Sequence, residues 1–278
     1  MFLAALATTG LLAQDQGGDY VCPMDRDVRS SSPGVCPRCG MKLVPGVPDP
    51  VEYPVRVTAH PRVVKPGAEV ELAFEVLDPA TGSRVTRFEI VHEKLYHLFI
   101  VSDDLNYFAH VHPDPGSDGI FRLRATFPRT GAYRLVSDFY PSGATPQIDA
   151  RTLLTAGYAP GPVPALPADL APKVFDGLRV ELLLDPSPPL AGQRTLLDYH
   201  VTPSAGLEKY LGAWGHLLAA SSDLIDTIHT HPFVEDDRPR LQFRVIFPRE
   251  TTYRLWMQFQ RGGQVYTAPF TFPVSRLK

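Results

Sequence analysis

Every cysteine of this 278-residue chain falls within one short window, in the runs Cys22-Pro23-Met24-Asp25 and Cys36-Pro37-Arg38-Cys39-Gly40-Met41. Thiolates this close together, with a carboxylate and thioethers beside them, are ligands for a soft or borderline metal ion. The spacing is C-x2-D-x10-C-x2-C, two knuckle-like turns that can converge on one tetrahedral ion. Pro23 and Pro37 fix the turn in each pair, while Gly34 and Gly40 are expected to supply the positive φ of tight knuckles. Met24, inside the same window, is a further candidate ligand. Three cysteines are a poor disulfide framework, because one thiol is always left over; oxidation would join Cys36 to Cys39 and leave Cys22 free.

A second set of ligand-type residues lies downstream. His97 to Pro113 reads HLFIVSDDLNYFAHVHP and His216 to Pro232 reads HLLAASSDLIDTIHTHP, which align without a gap at an offset of 119. Six of the nine histidines therefore occupy matching positions: His97, His110 and His112, then His216, His229 and His231. In a strand, residues two apart share a face, so each H-x-H pair presents two imidazoles on one side. A two-residue hairpin turn would set His97 opposite His110, and a four-residue loop would set it opposite His112; either register brings three imidazoles together. Three neutral imidazoles make a borderline site for Cu(II) or Zn(II), open at the fourth position, so the histidines are expected to hold a harder or more oxidised ion than the cysteines. The alternative is a solvated strand end with His97 and His216 hydrogen-bonded inside the fold.

The cysteine window also carries a resemblance. Tyr20 to Pro45, YVCPMDRDVRSSSPGVCPRCGMKLVP, resembles the short heavy-metal-binding domain found at the N-termini of periplasmic copper-efflux adaptors and some copper-transporting ATPases. That pattern runs Y-x-C-P-M-H-P…P-G-x-C-P-x-C-G-M-x-L-x-P. The resemblance implies Cys22, Cys36 and Cys39 as ligands, with Asp25 where the family has histidine and Arg26 where it has proline. A carboxylate completes a zinc site but is a poor partner for Cu(I), so monovalent copper would lean on the three thiolates and Met24. A zinc-filled fold staple and an empty, degenerate module are the competing readings.

These ligands need elements to position them. Each repeat contains about seven runs of alternating or β-branched residues, separated by Gly, Pro and Asp signals. In the first repeat the runs span 53–59, 70–77, 95–102, 107–112, 120–127, 133–140 and 151–156; in the second, 178–184, 195–201, 214–221, 227–231, 241–247, 253–260 and 265–272. The expected fold is all-β: two tandem immunoglobulin-like β-sandwich domains, residues 49–160 and 161–278, preceded by a small Cys-rich metal-binding knuckle at 14–48. Tyr133 and Tyr253, opening the sixth run of each repeat, stand where a tyrosine corner is expected. The 29 prolines and 21 glycines agree with many short turns.

The formal charge of −3 provides no basic field for nucleic acid. Residues 1–13, MFLAALATTGLLA, have the length of a signal h-region, although no Lys or Arg precedes them. They imply export to the periplasm or the extracellular space, or an N-terminal anchor. The chain contains no G-x-S-x-G, Walker loop or H-E-x-x-H, and Asp104 and Asp223 recur in the hairpin turn, where turn chemistry explains them. The sequence thus reads as a non-enzymatic, exported metal-binding protein that buffers or hands over copper or another heavy metal. The alternative is an accessory subunit of a membrane-associated complex, with the module as a zinc staple.

Overall fold

The computed structural model describes residues 20–25, 28–45, 51–161, 165–233 and 238–276. The leader read at 1–13, Arg26 and the middle of the linker after the module lie outside these residues.

The first repeat forms β1 (Val55–His60), β2 (Glu69–Val76), β3 (Tyr96–Ser102), β4 (Phe108–Val111), β5 (Phe121–Thr126), β6 (Ala132–Phe139) and β7 (Gln147–Leu154). The second forms β8 (Leu178–Asp185), β9 (Arg194–Thr202), β10 (His216–Ser221), β11 (Thr227–Thr230), β12 (Leu241–Ile246), β13 (Thr252–Arg261) and β14 (Gln264–Pro273). All fourteen expected strands are present. The sequence missed short edge pieces at Asp114–Pro115, Lys173–Phe175 and Leu207–Glu208. They are two or three residues long, too short for a periodic signal.

Within each repeat two antiparallel sheets stack as an immunoglobulin-like sandwich. One sheet has the order β1–β2–β5 and the other β7–β6–β3–β4; in the second repeat the orders are β8–β9–β12 and β14–β13–β10–β11. Strand β2 alternates strictly, with Val70, Leu72, Phe74 and Val76 buried and the residues between them half-open, the pattern of a sheet with one face in water. The tyrosine corners are in place: Tyr133 donates its hydroxyl to the Arg129 carbonyl at 2.9 Å, and Tyr253 donates to the Asp226 carboxylate at 2.7 Å.

Strands β3 and β10 break that pattern, because every residue of both is buried. Leu98 and Ile100 point into the core of the first sandwich, while Phe99 and Val101 point away from it into a third cluster shared with the other repeat. That cluster joins Phe99, Val101, Leu105 and Val136 to Leu218, Ala220 and Trp256, and Phe108 stacks on Trp256 with ring centroids 5.0 Å apart. Phe99/Leu218, Val101/Ala220 and Leu105/Leu224 are repeat equivalents. The two sandwiches therefore meet through the same face of each, in a pseudo-twofold arrangement.

The hairpin between β3 and β4 uses the four-residue loop. Leu98 pairs with Val111 and Phe99 with His110, which sets His97 opposite His112. In the loop Asp104 accepts from the Ser102 hydroxyl at 2.5 Å and the Asn106 amide at 3.0 Å, and Asp223 accepts from Ser221 and Ile225 in the same way. Leu105 takes a φ of 57° and Leu224 one of 54°. A left-handed leucine costs about 1–2 kcal/mol. Leu105 is fully buried in the shared core, which returns roughly 1.5–3 kcal/mol, so the turn is sustained by the neighbouring domain.

Candidate metal centres

In the module, three two-residue strands, Tyr20–Val21, Arg29–Ser30 and Val44–Pro45, close the ends of two knuckles. The Cys36 amide donates to the Met41 carbonyl at 2.6 Å and the Gly40 amide to the Cys36 carbonyl at 2.9 Å, so residues 36–41 form one tight loop. Gly40 has the expected positive φ, 75°, but Gly34 does not; it takes an ordinary backbone conformation beside Leu43. The knuckle amides point at sulfur: Asp25 N donates to Cys22 Sγ at 3.2 Å and Arg38 N to Cys36 Sγ at 3.4 Å.

The ligand atoms of Cys22, Asp25, Cys36 and Cys39 all lie within 4.8 Å of one another. Cys22 Sγ is 3.4 Å from Cys39 Sγ, and the Cys36 thiol is 3.2 Å from Asp25 Oδ2. Asp25 turns its other oxygen to Arg38 at 3.1 Å, which orients the carboxylate and offsets its charge. The hydrogen bond from the Cys39 thiol lowers Cys22 to about 7. Cys36 is pushed up to about 11 by burial. One thiolate thus forms readily and the rest follow only when a cation balances them. Met24 packs on the module core and, with Met41, against Val44, Val91 and Tyr140. It sits at the seam with the first sandwich, where Tyr140 donates to the Pro45 carbonyl at 2.8 Å.

The histidines of each repeat converge as the spacing predicts. The donor atoms of His97, His110 and His112 lie within 4.8 Å of one another, as do those of His216, His229 and His231. His97 Nδ1 is 3.1 Å from His110 Nε2 and 3.2 Å from His112 Nε2; His216 Nδ1 is 2.7 Å from His231 Nε2. The two triads are not two distant sites. They face each other across the interdomain seam, with ring centroids of 5.5 Å for His110–His216, 5.8 Å for His97–His229 and 6.0 Å for His110–His229. Within the first triad the centroids are already 4.7–5.4 Å apart. Six imidazoles form one cluster.

Outward hydrogen bonds fix which nitrogen carries the proton. His97 Nε2 is 2.9 Å from the Val91 carbonyl and His216 Nε2 is 2.8 Å from the Tyr210 carbonyl; a carbonyl only accepts, so each Nδ1 keeps its lone pair. His229 Nδ1 is 2.6 Å from Asp138 Oδ2, and His110 Nδ1 is 2.8 Å from Gln258 Oε1, so each Nε2 keeps its lone pair. Lone pairs consequently face one another inside each triad, an arrangement that a cation satisfies. His229 Nε2 is buried with no hydrogen-bond partner among the described residues. Burial drives His97 down to about 4 and His112 to about 3 and holds His110, His216 and His231 well below the usual imidazole value, so these five rings are neutral at physiological pH.

Sequence reasoning missed four contributors: His92, Asp138, Gln258 and the carbonyl pair Val91/Tyr210. His92 stacks on His231 with centroids 3.6 Å apart. It lies in the turn Val91–Lys94 at φ 45°, followed by Glu93 at 63°; the equivalent turn has Leu211 at 49° and Gly212 at 76°. These two turns hold the carbonyls that fix His97 and His216. Asp138 and Gln258 hold the same repeat position, but each stands in a strand with other polar residues, AYRLVSDF and TYRLWMQFQR, so neither stood out in the sequence.

Residues 20–45 match the heavy metal binding domain family, so the class is a metal-binding knuckle on a tandem β-sandwich. Residues 50–153 and 173–276 each match the Domain of unknown function (DUF8832), and the chain belongs to that family, carrying two copies. No curated protein matches. Among solved structures the chain is similar to the Escherichia coli adhesin FdeC, at 14% identity over 84% of this chain and 68% of that one, with a TM-score of 0.27. It is also similar to a two fibronectin type III domain segment of chicken tenascin (10% identity, 81% of this chain, 99% of that one, TM-score 0.24). A third likeness is to the Yersinia pseudotuberculosis adhesin InvE (12% identity, 80% and 60%, TM-score 0.25).

Proposed function

We propose that this is an exported, non-enzymatic protein that buffers copper or another heavy metal in the periplasm or extracellular space and hands it over to a membrane efflux or other membrane complex. The observation that carries this reading is the convergence of the Cys22, Asp25, Cys36 and Cys39 ligand atoms within 4.8 Å, in a segment matching a heavy metal binding domain. The module also packs on Val91, the residue whose carbonyl holds His97. A cavity of about 420 Å³ lies at this seam, lined by Met41, Lys42 and Val44 on one side and Phe88, Ile90 and His92 on the other. The apolar run at residues 1–13 supports export.

A second reading has its own observation. Asp25 Oδ2 beside Cys36 gives the module a hard fourth ligand, which favours zinc there and a structural role for the knuckle. Elemental analysis of the purified chain before and after challenge with Cu(I), Cu(II) and Zn(II) separates the two. The trafficking reading predicts reversible copper uptake that falls when Cys22, Cys36 and Cys39 become serine. Stoichiometric zinc that copper does not displace, with no copper taken up elsewhere, would establish the staple and sink the trafficking role.

A further inference from the structure

The strongest feature outside the module is the cluster between the sandwiches. Its second layer is swapped between domains. The group that orients His229 of the second repeat is Asp138, on β6 of the first, and the group that orients His110 of the first repeat is Gln258, on β13 of the second. His92 of the first repeat covers His231 of the second. Neither triad has its full set of supporting groups within its own domain.

We infer that the facing imidazoles form one composite site that binds two monovalent d10 ions, Cu(I) or Ag(I), one per triad, and that is assembled only when the two sandwiches dock. This deepens the reading above and rests on its claim that the chain binds metal. Charge decides the oxidation state. An imidazole that gives its lone pair to a metal is a neutral donor, and Asp138 is the one carboxylate that the described residues show hydrogen-bonded to these rings. Two monovalent ions with Asp138 leave a net charge of +1 in the seam, whereas two divalent ions leave +3. The cost of burying charge grows with its square, so the seam selects against Zn(II) and Cu(II). Three nitrogens per triad suit an ion content with three neighbours, and the orphaned His229 Nε2 points to where one belongs.

The swap makes the two ions unequal. An imidazole that donates to a carboxylate is a stronger ligand than one that donates to an amide, so the second triad, with Asp138, is the tighter. It is also the deeper, since His216, His229 and His231 are all buried while His112 keeps the first triad partly open. Ions enter at the His112 side and the inner one is retained longer.

The test is anaerobic titration of the full chain with Cu(I) against a competing chelator, bicinchoninate, with parallel Zn(II) titrations. A variant with Cys22→Ser, Cys36→Ser and Cys39→Ser is expected to retain two Cu(I) and no Zn(II) at the cluster, and His97→Ala with His216→Ala added is expected to lose both. Asp138→Asn is expected to weaken the tighter ion by about 10- to 100-fold, and Gln258→Glu to strengthen the weaker one. Unfolding midpoints of the metal-free variants, matching that of the thiolate-free chain, show that they fold. One ion instead of two, equal Zn(II) binding, or an affinity indifferent to Asp138 overturns the composite site. If the unmodified chain binds metal at the module but the serine variant binds none, only this inference falls; if the unmodified chain binds no metal at all, the proposed function falls with it.

Discussion

At the scale of single residues the repeats are equivalent in outline and different in chemistry. The tyrosine corners show this. Tyr133 donates to a neutral carbonyl, whereas Tyr253 donates to the Asp226 carboxylate, which also holds Arg249 at 2.8 Å. Neutral hydrogen bonds contribute about 0.5–1.5 kcal/mol and those to charged groups about 1.5–3 kcal/mol. Urea unfolding should therefore show Tyr253→Phe to be the costlier change by roughly 1 kcal/mol over Tyr133→Phe; equal costs would mean that the carboxylate adds nothing. The candidate ligands were legible because they recur at fixed spacing, Cys22 with Asp25, Cys36 with Cys39 and His110 with His112. Asp138, Gln258 and His92 were not, because each meets its partner across the seam between domains, where no local spacing records the contact.

At the scale of elements the site depends on two strained turns. Val91–Lys94 and Tyr210–Ala213 each place two residues at positive φ, and together they supply the carbonyls that fix His97 and His216. The second turn already uses Gly212 where the first uses Glu93. Glu93→Gly should leave the thermal midpoint unchanged or raise it, while Gly212→Val should cost about 1–2 kcal/mol. A stabilising Gly212→Val would show that the turn is not strained. The strands themselves were readable from alternation, and the hairpin register was narrowed to two options that only the loop length could decide. With the loop spanning residues 103–106, Val101 pairs with Phe108, and His97 falls opposite His112.

At the scale of the whole molecule the two sandwiches share a core, and this was the least visible part of the sequence. The clue lies in YHLFIVS and HLLAAS, runs without alternation that a sheet with one wet face does not need. Those runs are buried on one side by their own domain and on the other by its partner. Because Phe99, Val101 and Leu105 pack on Leu218 and Trp256, both domains should unfold in one cooperative transition. Trp256→Ala should cost roughly 3–5 kcal/mol and split that transition in two by calorimetry; two separate transitions in the unmodified chain would show that the seam is weak.

The seam is also where the histidines meet, so the location of bound metal tests most directly whether the two sandwiches build one site. Crystals of the full chain loaded anaerobically with Cu(I) can be measured at the copper edge. Two anomalous peaks are expected between the sandwiches, one within reach of His97, His110 and His112 and the other of His216, His229 and His231. Copper confined to the cysteine module, with no peak between the sandwiches, would contradict a shared site.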